Sequence, residues 1–146
     1  MSIPSHVAWL RLSPRPGQNV GVSSLSFVAN EGIEGDRHAK PYARNQVLFI
    51  DVETLDLLDL SPGDVRENVA TRGIDVASLA EGDHIQIGSE AQVVVSHPCD
   101  PCHKMEALRP GLQAELEGRR GMLATVVTGG VVSLGDPVIV TSPTRP

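Results

Sequence analysis

The sequence predicts a mostly β fold: a single closed or nearly closed β-barrel carrying one or two short helices. Three observations lead there. Short β-prone segments recur along the 146 residues, with 14 Gly and 11 Pro falling between them, which is the rhythm of an all-β chain rich in turns. Aromatic residues make up only 3% against 40% hydrophobic residues overall, so the core must be built from Val, Leu, Ile and Ala. The strand–helix alternation that a doubly wound sheet needs is absent. The length suits one domain with one core, residues 1–146, with its motif-bearing part at about 20–141.

The elements follow in order. Val7 to Leu12 alternates weakly and reads as a first strand, and the loop at 13–19 holds Pro14, Pro16 and Gly17. Val20 to Val28 reads as one second strand. Gly32 and Gly35 bracket a tight turn at backbone angles that other residues avoid. Gln46 to Ile50 is a short apolar strand. Asp51 is placed to cap a helix through Leu58, which Pro62-Gly63 follows. Asp83 to Gly88 alternates, turns, and resumes at Ala91 to Ser96, the pattern of a hairpin. Lys104 to Leu116 has helical composition broken by Pro110-Gly111. Gly121 to Thr128 and Asp136 to Thr141 are late strands joined through Gly129-Gly130. Leu55, Leu58, Val93, Val95, Val126 and Val138 read as core.

The formal net charge is −6. Non-specific nucleic-acid binding needs a basic footprint, so no nucleic-acid partner is expected. No apolar run has the length of a membrane-spanning helix. The start, Met1 to His6, lacks a basic stretch followed by an apolar one, so neither a leader nor a membrane partner is expected. The expected location is the cytoplasm, where thiols stay reduced.

Both cysteines lie in Ser96-His97-Pro98-Cys99-Asp100-Pro101-Cys102-His103-Lys104, directly after the most β-prone run. A thiol presented where the backbone leaves a sheet is placed for chemistry. Three readings are open. Cys102 is a thiolate ligand for a soft metal centre, with His97, His103 or Lys104 supplying positive charge that favours the thiolate. Alternatively, Cys99 and Cys102 form a zinc- or copper-binding pair, helped by His97 and His103, or a thiol redox pair. The third reading takes Cys99-x-x-Cys102-His103 as a haem-attachment motif, although such chains are exported and helix-rich. A Ser-His-Asp hydrolase is not indicated, for there is no Gly-x-Ser-x-Gly, and no Gly-rich phosphate loop occurs.

Four segments in sequence order resemble the MOSC family, named for the C-terminal domain of molybdenum-cofactor sulfurase. Gly32-Ile33-Glu34-Gly35-Asp36-Arg37-His38 is similar to its early Gly-x-x-Gly-Asp motif. Glu67-Asn68-Val69-Ala70-Thr71-Arg72-Gly73-Ile74-Asp75 resembles its Gly-Glu-Asn-x-x-Thr-x-Gly-aliphatic signature. Gly82 to Gly88 is similar to its Gly-Asp-x-aliphatic-x-aliphatic-Gly strand, and Pro101-Cys102 matches its cysteine. Arg120-Gly121 and Gly135-Asp136 also fit. The chain departs at Arg66, where the family usually has Gly, and at Cys99, where relatives often carry Arg.

The resemblance implies binding of the molybdenum cofactor (molybdopterin), with Cys102 as the metal or sulfur ligand and the catalytic residue. It implies two activities: carriage of sulfur or cofactor to a molybdoenzyme partner, or reduction of N-hydroxylated compounds with electrons from a donor protein. Asp36, Arg37, His38, Glu67, Asn68, Thr71, Arg72 and Arg120 are the residues expected to hold the cofactor. Arg37 and Arg120 suit its phosphate, and Asn68, donor and acceptor together, suits a pterin amide edge. Pyridoxal phosphate is not expected, because this length leaves no room for an aminotransferase-like domain.

Overall fold

The computed structural model describes residues 4–142. Residues 1–3, part of the N-terminal stretch read above, lie outside them. Eleven strands and three short helices are formed among the described residues: β1 His6–Leu12, β2 Val20–Val22, β3 Ser24–Val28, β4 Gly32–Ile33, β5 Val47–Asp51, α1 Val52–Leu57, β6 Val69–Arg72, β7 His84–Ile87, β8 Ala91–Pro98, α2 His103–Leu108, α3 Leu112–Glu115, β9 Met122–Thr128, β10 Gly130–Ser133 and β11 Val138–Thr141. A 3-10 turn covers Val76–Ser78. None of the helices is long and apolar enough to cross a membrane.

The strands build an eight-stranded sheet in the order β11-β7-β8-β9-β5-β6-β1-β2 and a three-stranded sheet in the order β10-β3-β4. Within the large sheet β5 and β6 run parallel. The expected closed barrel is corrected here, because neither sheet closes on itself. The two ends of the large sheet meet only at one bridge, His6 to Pro137, with backbone bonds Val7 N–H to Asp136 and Val138 N–H to Ser5, both at 2.9 Å. Pro137 has no N–H to offer, and β2 already occupies the other half of that edge of β1.

The single strand expected over Val20–Val28 is two. The chain changes sheets at Ser23, so β2 pairs with β1 while β3 pairs with β10 and β4, as strands do at the corners of packed sheets. The helical stretch over 104–116 is broken at Pro110-Gly111, as its sequence indicates, into α2 and α3, and Gly111 stands in the left-handed region at φ 88°. That raises the expected one or two helices to three. Helix α1 forms as its sequence dictates. Asp51 accepts the Thr54 N–H at 3.0 Å and the Thr54 hydroxyl at 2.8 Å.

Two apolar clusters hold these elements. The main core lies between the sheets and includes Leu10, Phe27, Phe49, Val69, Val93, Val95, Val126 and Val138. A second cluster joins Ile50, Leu55, Leu60, Val65, Met105, Leu112 and Leu116, with Leu58 packed against it. The second cluster positions the site: by burying Met105 against α1 and α3 it fixes the start of α2, and therefore Cys102.

Candidate functional site

One cavity of about 220 Å³ gathers the ends of several strands and the start of α2. It is lined by both cysteines, by Arg11, Arg37, Arg66, Lys104 and Arg120, by His38 and Asn68, and by an apolar wall of Leu48, Met105 and Leu123. Among these lining residues there is no Asp or Glu. An acidic protein therefore keeps a local surplus of positive charge, which draws anions into a confined space.

The thiols are delivered by two elements. Cys99 follows the end of β8, and its N–H donates to the Gly121 carbonyl at 2.9 Å. Cys102 stands immediately before α2, and its carbonyl accepts the Met105 N–H at 2.9 Å. Both are half-buried and neither is in a disulfide. Burial pushes the Cys99 thiol above its ordinary range, against the pull of the Arg120 guanidinium, and the neighbouring Cys102 and Asp100 add to the rise.

Arg120 is the most informative of the cations. It is only 6% exposed, and its Nε and Nη1 have no hydrogen-bond partner among the described residues. A buried guanidinium with idle donors is costly, and the cost is recovered when an anion meets them. Arg11 is the opposite case. It is 3% exposed; its Nε donates to the Glu67 carbonyl at 2.7 Å, its Nη1 to Asn19 and its Nη2 to the Arg66 carbonyl. Arg11 therefore clamps the 66–67 turn. Burial weakens its hold on the proton, while Glu67 and Asp36 act to restore it.

The loop bearing Asp36, Arg37 and His38 is anchored from within. Gln46 is buried and donates through Nε2 to the Asn30 and Lys40 carbonyls, both at 3.1 Å, while its Oε1 accepts the Val126 N–H at 2.9 Å. Asp36 accepts from the Ser13 N–H at 2.9 Å, and from the His38 N–H at 3.0 Å and Nδ1 at 3.2 Å. Burial would raise the Asp36 pKa, but these hydrogen bonds outweigh it and hold the carboxylate below its ordinary range. Arg37 and His38 reach the cavity, while Asp36 stands behind them.

Asn68 is buried, and its Oδ1 accepts the Leu48 N–H at 3.0 Å while its Nδ2 donates to the Arg11 carbonyl at 3.3 Å. Glu67 is fully buried. Its Oε2 accepts the Gly63 N–H at 2.8 Å, and its Oε1 has no partner among the described residues. Burial raises its pKa, against the Gly63 hydrogen bond and the charges of Arg11 and Arg120.

A model of the MOSC domain matches residues 36–139. The chain belongs to the MOSC domain family. Its fold is similar to that of the YuaD protein from Bacillus subtilis, with a TM-score of 0.82 and 21% identity over 94% of this chain and 96% of that one. It is similar also to YiiM from Geobacillus stearothermophilus, at 0.73 and 19% over 95% and 76%. YiiM from Escherichia coli matches at 0.71 and 21% over 96% and 71%. Among curated proteins, translation initiation factor IF-2 of Clostridioides difficile is 25% identical over 163 aligned residues. That match takes in 95% of this chain but only 24% of the factor's length.

Within this MOSC domain the cavity brings together Cys102, Arg37, His38, Asn68 and Arg120. Asp36 and Glu67 lie behind its wall as supports. Thr71 and Arg72 are carried elsewhere by β6: Thr71 is buried between Val7 and Asp51, its hydroxyl without a partner among the described residues, and Arg72 is exposed beside His6. His97 and His103 do not line the cavity. Among the described residues no three His, Cys, Asp or Glu side chains are gathered to hold a metal, so the four-ligand zinc set is not assembled.

Sequence reasoning missed Arg11, Asn19, Asn45 and the apolar wall. One signal was available for Arg66, the departure from the family's glycine. Its φ is +65°, the left-handed region where glycine is at ease and other residues are strained.

Proposed function

We propose that this MOSC domain binds the molybdenum cofactor, with Cys102 as its metal or sulfur ligand and Arg120 as a contact for its phosphate. The observation that carries the reading is Arg120: a buried guanidinium with two idle donors, in the same cavity as a free thiol. The residues present fit the group. A soft thiolate suits a soft metal centre, unopposed cations suit a phosphate, and the wall of Leu48, Met105 and Leu123 suits the flat face of a pterin. When bound, the cofactor supplies a metal centre able to exchange sulfur or electrons.

In this reading the chain's own residues divide the work. Cys102 offers its thiolate from the fixed start of α2. Arg120, Arg66, Arg37 and Lys104 neutralise the anionic end. Asn68 holds the Leu48 backbone in place, and Arg11 holds the turn that bears Arg66. Two free thiols in one cavity favour carriage of sulfur or cofactor to a molybdoenzyme partner. A second reading, reduction of N-hydroxylated compounds, rests on the single thiol Cys102 presented at an apolar-walled cavity. It calls for an electron-donor protein. We infer a cytoplasmic location, where free thiols stay reduced.

The test is elemental analysis with pterin fluorescence on protein from a host that makes molybdenum cofactor. Near-stoichiometric molybdenum with pterin is expected in the wild type, with loss of both in Cys102→Ser while the circular dichroism spectrum is retained. Unchanged molybdenum in Cys102→Ser sinks the ligand assignment. Zinc or copper without pterin, lost in both Cys99→Ser and Cys102→Ser, moves the function to a metal-binding module.

A further inference from the structure

The family motif accounts for Cys102 and leaves Cys99 without a role. The two cysteines are three positions apart, both are free, and both line one cavity. Asp100 and Pro101 alone separate the end of β8 from the residue that opens α2. The backbone of each cysteine is held by a different part of the fold: the Cys99 N–H by the Gly121 carbonyl just before β9, the Cys102 carbonyl by the Met105 N–H in α2. The Cys99 sulfur lies 3.9 Å from the Asp100 carbonyl oxygen, placed to donate its S–H there.

We propose that Cys99 is a resolving thiol, which discharges a persulfide carried on Cys102 and releases its outer sulfur inside the cationic cavity. The proposal rests on the sulfur-carrier reading and adds to it both a donor class and a release step. A protein or small-molecule persulfide first transfers its outer sulfur to Cys102, giving Cys102–S–SH and the donor's thiol. The Cys99 sulfur then attacks the inner sulfur. A bond forms between the two cysteine sulfurs, and the bond from Cys102 to the outer sulfur breaks. The outer sulfur leaves with the bonding electron pair and the Cys99 proton, as hydrogen sulfide or hydrosulfide. The outer sulfur is reduced and the two thiols are oxidised to a disulfide, so atoms and electrons balance. A low-molecular-weight thiol or dithiol reductant restores the pair for the next cycle.

The cavity gives this step a purpose. A persulfide left standing is exposed to any passing thiol. Hydrosulfide released beside Arg120 and Lys104 appears instead where an anion is held and where an acceptor would bind.

The experiment uses reduced wild type, Cys99→Ser and Cys102→Ser, each treated anaerobically with inorganic polysulfide, desalted, and followed by intact-mass spectrometry with sulfide assay. Cys99→Ser should retain one added sulfur. Wild type should lose it at least about tenfold faster, finish two hydrogens lighter than the reduced chain, and release one sulfide per chain. A wild-type persulfide as long-lived as that of Cys99→Ser overturns the resolving role alone and leaves the carrier reading standing. No added sulfur on Cys99→Ser overturns the carrier reading and the proposal with it. Stable sulfur on Cys102→Ser but not on Cys99→Ser overturns the assignment of the two roles.

Discussion

Gly121 packs against the carbonyl oxygen of Phe49 so closely that a Cβ at this position would lie 2.4 Å from it. Its φ of +114° is in the region that favours glycine. The tight approach of β9 to β5 fixes Arg120 on one side and, through the Gly121 carbonyl, Cys99 on the other. Gly121→Ala should therefore destabilise the fold by about 2–4 kcal/mol, a combined cost of strain and steric overlap. Urea denaturation checks the loss. Slower reaction of Cys99 with a thiol reagent, or faster, would show that its anchor has moved.

Arg66 carries the opposite expectation. Its left-handed backbone costs about 1–2 kcal/mol for a residue with a Cβ, while glycine costs about 0.5–1 kcal/mol in unfolded-chain entropy. Arg66→Gly should leave stability equal or higher by about 1 kcal/mol, yet weaken binding of a pterin phosphate and flatten its salt dependence. Denaturation midpoints and binding titrations at two salt concentrations check both halves. A loss of stability without a loss of binding would make Arg66 a structural residue only.

Asp36 and Glu67 pull the pH profile in opposite directions. Asp36 is held below its ordinary value of 3.8, so the stability it contributes is present above that value and fades as pH falls through the lower folded value. Glu67 is raised above 4.5, so its contribution is complete below that value and fades as pH rises through the folded value. Urea midpoints measured from about pH 3 to about pH 7 should show less acid sensitivity in Asp36→Asn. In Glu67→Gln the decline on the rising side should disappear. A profile identical to wild type in both variants contradicts the assignments.

Asn68 satisfies a buried backbone donor. Asn68→Ala strands the Leu48 N–H and should cost about 1–3 kcal/mol. Asn68→Asp keeps the acceptor but places a carboxylate where Nδ2 now lies 3.5 Å from Asp36 Oδ1. That variant should regain stability on acidification, as repulsion is relieved. Thermal unfolding at neutral and mildly acidic pH distinguishes the two.

The parts of this fold governed by local chemistry were legible in the sequence. Asp51 announces α1 by its capping side chain, and the alternation at 84–95 announces the β7–β8 hairpin. Cys102 stood out by its place after a β-prone run. Arrangements made by distant partners were not legible. Arg11 reads as one more strand residue, and its role appears only when β1 brings it to carbonyls 55 and 56 residues away. The sheet change at Ser23 has only a faint local signal, Gly21 and the Ser23-Ser24 pair, inside an otherwise strand-like Val20–Val28. The open edge follows from Pro137 meeting β1, a pairing that no short motif encodes.

The five Arg and Lys side chains around the cavity are not equivalent in time. Arg11 has committed its donors to carbonyls and to Asn19, so an arriving anion feels its field without gaining a bond from it. Its charge accelerates encounter, as long-range attraction does. In the proposed reading Arg120, whose Nε and Nη1 have no partner among the described residues, shares that attraction and also gains direct bonds after arrival, which would slow departure. If that reading holds, altering Arg120 should raise the dissociation rate of a bound anion far more than it lowers the association rate.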